Sequence, residues 1–210
     1  MAHDLVFYTN PMSRGRTVRW MLEEIGAPYE TKILNYGAEM KSAAYRAINP
    51  MGKVPAIVHH GVVVTEQAAI CTYLADAFPA AGLAPAPGDP ARGNYYRWLF
   101  FCAGAAEQAF INHSFGFELP PGPEARGRAG YGSFKDVLDV LEKVVSSGPH
   151  LAGDRFSTAD LYMASLLSFA MMSGTMEKRP AFESFVGHHI MRPAAVRARA
   201  IDDALLAKQG

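Results

Sequence analysis

Leu5-Val6-Phe7-Tyr8 is a short apolar run closed by Thr9-Asn10-Pro11, the pattern of a buried strand entering a loop. The period then changes. Val18, Met21, Leu22 and Ile25 recur at i, i+3, i+4 and i+7, and Gly26-Ala27-Pro28 supplies helix stop signals. Tyr29 to Leu34 reads as a second strand, so a strand, helix, strand unit with parallel pairing is expected. Val54-Pro55-Ala56-Ile57-Val58 and Val62-Val63-Val64 flank His59-His60-Gly61, two short runs around a glycine-containing turn, which predicts a hairpin. From Glu66, Ala69, Ile70, Tyr73, Leu74 and Ala77 mark an amphipathic helix that stops before Pro79. With a short helix ahead of the hairpin, the order is βαβ-α-ββα.

Residues 78 to 90, FPAAGLAPAPGDP, break every periodic pattern. The chain is therefore divided into an α/β domain at 1–78, a linker at 79–89 and an all-α domain at 90–210. Helical stripes run from Asn94 to Phe110 and from Phe134 to Val145, separated by Leu119-Pro120-Pro121-Gly122-Pro123. Leu161 to Met172 is apolar on nearly every side and should be the central rod of its domain. Ser157-Thr158-Ala159-Asp160 ahead of it reads as a structural cap. A last helix begins near Pro193, with Val196, Ile201, Leu205 and Leu206 as expected core positions.

Composition narrows the function classes. Half of the 210 residues are hydrophobic and 19% are charged, which excludes a disordered chain. Twenty basic residues balance twenty acidic ones, so no net field draws in nucleic acid or an anionic membrane. The longest apolar-leaning stretch, Leu161 to Met176, is too short for a bilayer span, and the N-terminal residues lack the pattern of a signal peptide. Cys71 and Cys102 stand alone, without CxxC spacing, so a cytoplasmic location is expected. The doublets His59-His60 and His188-His189 lack the spacing that aligns two imidazoles on one helix face, and no metal site is expected. Walker, GxGxxG and GxSxG loops are absent from the sequence. Arg192, Arg197 and Arg199 read as a solvated basic cluster.

Three features of the first domain point to one ligand. Ser13 follows the first strand at the start of the first helix, where free N–H donors and the positive dipole end favour an anion such as a thiolate; taken alone, it reads as a helix cap. Lys53-Val54-Pro55 puts a proline at a strand start, and a cis Val54–Pro55 bond would let the Val54 backbone offer both N–H and C=O to an extended peptide. Glu66 and Gln67 begin the next helix, where a carboxylate beside free N–H groups suits the two charges of an amino-acid zwitterion; taken alone, Glu66 is a helix-start charge.

Together these segments resemble the soluble glutathione transferases. The resemblance is carried by Asn10-Pro11-Met12-Ser13, Val18-Arg19-Trp20-Met21-Leu22-Glu23-Glu24, Asn49-Pro50-Met51-Gly52-Lys53-Val54-Pro55-Ala56, Thr65-Glu66-Gln67-Ala68-Ala69-Ile70 and Ser157-Thr158-Ala159-Asp160. It implies a thioredoxin-like N-terminal domain that binds glutathione, an all-α domain contributing the pocket for a hydrophobic electrophile, a cis Val54–Pro55 bond and a homodimer. Val54 would pair with the cysteinyl backbone of glutathione, with Pro55 holding its turn. Glu66 and Gln67 would hold the γ-glutamyl end, and Lys53 would lie near a glycyl or cysteinyl carbonyl. Gln67 replaces the hydroxyl residue frequent at that position. Ser13 ranks first as the thiol activator, its place about one position later than the serine of the serine-type classes being a shift a loop accommodates; Tyr8, in register with the tyrosine of the tyrosine-type classes and otherwise a strand-end core aromatic, ranks second. Tyr8, Phe110, Phe115, Phe117, Tyr162 and Met163 are the expected pocket residues, though methionines and aromatics at helical spacing are mostly core. The expected reaction is thiolate attack on the electrophile, in the context of detoxification. A glutathione-dependent isomerase, dehalogenase or peroxidase and a non-catalytic binding module are the other readings.

Overall fold

A computed structural model describes residues 4–208. Residues 1–3 and 209–210, on which the leader expectation and the outer ends of the expected domains partly rest, lie outside the described residues. The chain falls into two compact units, residues up to Leu83 together with Arg192 onward, and Ala84–Met191.

The first unit is built on a four-stranded mixed sheet. Its strands are β1 (Leu5–Thr9), β2 (Glu30–Ile33), β3 (Ala56–His59) and β4 (Val62–Thr65), in the spatial order β2-β1-β3-β4. β1 pairs parallel with β2 and antiparallel with β3, and β4 closes the edge as the antiparallel hairpin partner of β3. The helices of this unit are α1 (Gly15–Ile25), α2 (Ala43–Arg46) and α3 (Gln67–Ala77), which gives the expected βαβ-α-ββα order. Alternation along β1 buries Leu5, Phe7 and Thr9 and leaves Val6 and Tyr8 half-buried on the other face. α1 buries Val18, Met21 and Leu22, as the 3.6-residue period requires, and stops at Gly26, whose φ of 68° only glycine adopts freely.

The second unit is helical. It contains α4 (Ala91–Phe101), α5 (Glu107–Ser114), α6 (Pro123–Arg128), α7 (Phe134–Val145), α8 (Thr158–Met172) and α9 (Pro180–Ile190). The expected Asn94–Phe110 stripe is continuous in space, but Cys102–Ala106 is a π-helical turn between α4 and α5. α8 is the buried rod. Its Asp160 carboxylate accepts from Ser157 N–H (2.8 Å), the Ser157 hydroxyl (3.0 Å) and Leu151 N–H (2.7 Å), tying the helix start to the preceding loop. The α9 helix was not expected from periodicity.

The final helix, α10 (Pro193–Leu206), corrects two expectations. It packs on α1 within the first unit, so residues 90–210 do not form one compact body. Its buried face is Ala194, Ala195, Ala198 and Asp202, whereas Val196 and Ile201 are exposed and Leu205 and Leu206 only partly covered. Small side chains allow close approach to α1, and Asp202 is buried because Arg19 Nε lies 2.7 Å from its Oδ1. Two members of the arginine cluster are engaged rather than merely solvated. Arg192 holds Glu24 through two hydrogen bonds (2.6 and 2.9 Å), and Arg197 Nε reaches Glu23 (3.1 Å). No helix among the described residues is long and apolar enough to cross a membrane.

Candidate active site

Sheet register places the predicted segments at one end of the first unit. β1 and β4 end there and β3 begins there, because Tyr8 faces Ala56 and Ala56 faces Thr65. The next rung therefore sets Thr9, Pro55 and Glu66 side by side, and the Ser13 loop, Val54 and Gln67 follow directly. Neighbouring strands lie about 4.8 Å apart, so the end faces of β1, β3 and β4 span about 10 Å. An extended tripeptide, at about 3.3–3.6 Å per residue, has the same reach.

Asn10, almost fully buried, builds the first corner. Its Nδ2 donates to Leu34 C=O (2.9 Å) and its Oδ1 accepts from Met12 N–H (2.9 Å), so the loop after β1 is pinned to the end of β2. Its carbonyl accepts from both the backbone N–H (2.9 Å) and the hydroxyl (2.7 Å) of Ser13. Ser13 Oγ in turn accepts from Gly15 N–H at 2.9 Å, a serine turn one residue ahead of Arg14, the N-cap residue, which has no side-chain capping bond. The hydroxyl has one proton, and it lies on the Asn10 carbonyl, so donation to a thiolate requires a rotation about χ1. Gly15 is required beside it, since a Cβ there would sit 1.9 Å from the hydroxyl oxygen of buried Thr9. Tyr8 lies on the sheet face opposite buried Phe7, 5.6 Å from the Tyr45 ring, and its hydroxyl has no hydrogen bond among the described residues.

The second corner is the segment before β3. The Val54–Pro55 bond is cis. The Lys53 carbonyl immediately ahead of it accepts from Tyr45 Oη (2.7 Å) and Asn49 Nδ2 (2.7 Å), while Asn49 Oδ1 accepts from Met51 N–H (3.1 Å). Tyr45 and Asn49 are thus positioning residues that sequence reasoning did not single out. Asn49 lies inside the quoted Asn-Pro motif and so carried a local signal, whereas Tyr45 carried none. Burial pushes the Tyr45 hydroxyl up to about 12, so it stays protonated and remains a donor. The Lys53 side chain is exposed, Val54 half-buried and Pro55 buried.

Glu66 forms the third corner, at φ 67° and ψ 119° immediately before α3. A non-glycine residue there costs on the order of 1–3 kcal/mol, a strain that clusters at ligand-binding positions. Its side chain is exposed and makes no capping bond to α3, so the carboxylate and the first free N–H groups of the helix, Gln67 included, face the same end of the sheet. Cys71 and Cys102 are fully buried, and desolvation raises both thiols far above their ordinary value. Neither is a thiolate, and any activated sulfur at this site must arrive with a ligand.

The expected pocket residues divide. Phe110, Tyr162 and Met163 are buried in the core of the second unit, and Cys102 Sγ lies 3.5 Å from Met163 Sδ. Met163 is core packing, a correction to the expected lining role, because α8 is covered on nearly every side. Phe115 and Phe117 are two-thirds exposed and form a ring pair at 5.8 Å just after α5.

Comparison with known proteins agrees with this geometry. Residues 12–77 match the family model for the glutathione S-transferase N-terminal domain, and residues 123–193 match the C-terminal domain of the same family. The chain is 50% identical over 182 residues to Protein LigF of Sphingobium, covering 70% of this chain and 69% of that protein. It is 27% identical over 224 residues to the disulfide-bond oxidoreductase YghU of Escherichia coli, covering 95% of this chain and 75% of that protein. Among solved structures, a sphingomonad glutathione S-transferase complexed with glutathione superposes with a TM-score of 0.76 at 30% identity, covering 94% of this chain and 98% of that one. With both family models matched in order and the thioredoxin-like and helical units in place, this chain belongs to the glutathione S-transferase family.

Proposed function

We propose that the protein is a glutathione transferase that lays the tripeptide along the end of β1, β3 and β4 and sends its thiolate onto a hydrophobic electrophile. The observation that carries this is the convergence of three corners on one sheet end: the Ser13 loop at the α1 N-terminus, the Val54 peptide behind the Tyr45–Asn49 clamp, and the strained Glu66 ahead of α3. Val54 pairs with the cysteinyl backbone, Glu66 and Gln67 take the γ-glutamyl end, Lys53 lies near a carbonyl of the tripeptide, and Pro55 sets the turn. On the electrophile side, Tyr8 is the candidate within the first unit, and the exposed Phe115 and Phe117 are the candidates within the second. Acceleration comes from positioning and from stabilising the thiolate. A cytoplasmic homodimer acting in detoxification completes the reading, and light scattering on the purified chain gives its oligomeric state.

Glutathione binding by calorimetry tests the whole of it. Glu66→Ala is expected to weaken binding about 10-fold or more, the value of one lost charge-assisted hydrogen bond, whereas buried Cys71→Ala leaves the dissociation constant unchanged. Both Glu and Ala carry a Cβ, so the backbone strain is common to wild type and variant. Absence of glutathione binding by the wild type removes the enzymatic reading.

The activator is tested by ultraviolet titration of the bound thiol. Ser13→Ala is expected to raise its pKa by about 1–2 units, each unit corresponding to about 1.36 kcal/mol, and Tyr8→Phe to leave it unchanged. The reverse result assigns the role to Tyr8. A second reading, glutathione-dependent disulfide exchange, is favoured by the likeness to YghU. In it the glutathione thiolate attacks one sulfur of a substrate disulfide and expels the other as a thiolate. The two protein thiols are too deeply buried to take part.

A further inference from the structure

We propose that His150, Asp160 and His189 form a binding site for one divalent transition-metal ion of the zinc class, remote in sequence from every residue assigned to glutathione. One donor atom from each of the three side chains lies within 4.8 Å of the other two. They come from three separate places in the second unit: the loop before Leu151, the first turn of α8 and the last turn of α9.

The donor chemistry is that of a built site. His150 Nδ1 is buried and has no hydrogen-bond partner among the described residues, an orphaned group that native structures seldom tolerate without a water or an ion. His189 is 1% exposed, and its Nε2 lies 2.8 Å from the Pro149 carbonyl. A carbonyl only accepts, so Nε2 carries the proton and Nδ1 bears the lone pair; metal-binding imidazoles are fixed in the same way by a backbone carbonyl on the other nitrogen. Asp160 Oδ1 accepts a single hydrogen bond, from Leu151 N–H, and retains a second lone pair. Phe156 and Phe185, with ring centroids 5.3 and 4.5 Å from that of His189, supply an apolar surround. His150 is half-buried, which leaves a way in from solvent.

Two imidazoles and one carboxylate select zinc, copper or nickel over calcium or magnesium, which prefer all-oxygen shells. Metal bonds of about 2.0–2.2 Å require the donors to close by roughly an ångström or more, and His150, on a loop, is the one free to move. The fourth position is left to water. An ion there ties the pre-α8 loop to both helices, so its role is to brace the second unit.

Tag-free full-length protein, stripped with chelator and dialysed against zinc, is expected to retain about one zinc per chain by elemental analysis. Substituted cobalt is expected to show intense tetrahedral visible bands. His150→Ala and His150→Gln should lower zinc affinity roughly 100-fold and lose the cobalt spectrum, with circular dichroism verifying the fold, whereas exposed His188→Ala binds as wild type does. Zinc should also raise the melting temperature of wild type and not of the His150 variants. Substoichiometric zinc in the wild type, or equal retention by wild type and both His150 variants, overturns the site.

Discussion

Replacing Asp202 by alanine is expected to lower the free energy of unfolding by about 3–5 kcal/mol, the range for removing one partner of a buried ion pair. Arg19 and Asp202 are each 1% exposed, and their 2.7 Å contact joins α1 to α10. Without the carboxylate, the guanidinium keeps two neutral acceptors, Tyr29 Oη at 3.2 Å and Thr31 Oγ1 at 3.3 Å, and the face of Phe7 at 5.2 Å. These offset only part of the cost of a buried, uncompensated cation. The pair is itself incompletely satisfied, since Arg19 Nη2 and Asp202 Oδ2 are buried without hydrogen-bond partners among the described residues. Removing both charges, as Arg19→Met with Asp202→Ala, should therefore destabilise less than Asp202→Ala alone. Asp203→Ala breaks the neighbouring exposed pair with Arg16 (2.5 Å) and should cost less than about 1 kcal/mol. Urea denaturation of the four proteins, each carrying Trp98→Phe so that Trp20 fluorescence alone reports on the first unit, distinguishes these outcomes. A loss below about 1 kcal/mol for Asp202→Ala would show that alanine packing and the Arg192–Glu24 and Arg197–Glu23 pairs hold α10 without it.

That ion pair also marks where sequence reading stops. β1, α1, the β3–β4 hairpin, α7 and α8 were legible because each carries its own period and its own stop signal, as at Ile25-Gly26. α10 was legible as a helix but with the wrong face inward. Large apolar side chains dominate any periodicity count, and a core of three alanines and an aspartate has meaning only once Arg19, 183 residues earlier, is in place. The functional end of the sheet followed the same division. Ser13, Val54, Pro55, Glu66 and Gln67 sit in local motifs at element boundaries, so the segments that converge were identifiable before the sheet order was known. Tyr45 acts through a hydrogen bond to a main-chain carbonyl eight residues away, and no residue-type pattern encodes that. His150, Asp160 and His189 come from three separate places in the second unit, which is why the adjacent doublet at 188–189 gave no metal-ligand spacing.

Gly52→Ala is the substitution expected to damage folding and ligand binding together. Gly52 has φ +57°, and a Cβ placed on it would lie 2.4 Å from the Met40 main-chain carbonyl oxygen and 3.0 Å from Lys41 Cδ. The left-handed conformation costs a residue with a Cβ about 1–2 kcal/mol, and pushing backbone aside adds about 1–3 kcal/mol. Gly61 isolates the first of these. It has φ +79° at the β3–β4 turn with nothing within 4 Å of a built Cβ, so Gly61→Ala should lose only the conformational part. The functional consequence separates them further. Gly52 donates its N–H to Asn49 C=O at 2.8 Å and leads directly into Lys53, whose carbonyl is held by Tyr45 and Asn49. Shifting that segment moves the Val54 peptide away from the end of β1, so glutathione affinity is expected to fall at least about 10-fold, one lost backbone hydrogen bond or more. Gly61 lies at the opposite end of the hairpin, and its alanine variant should bind glutathione as wild type does. If the two variants match in both stability and affinity, the Met40 segment yields to the new methyl group, and the rigidity assigned to the Lys53 clamp resides elsewhere.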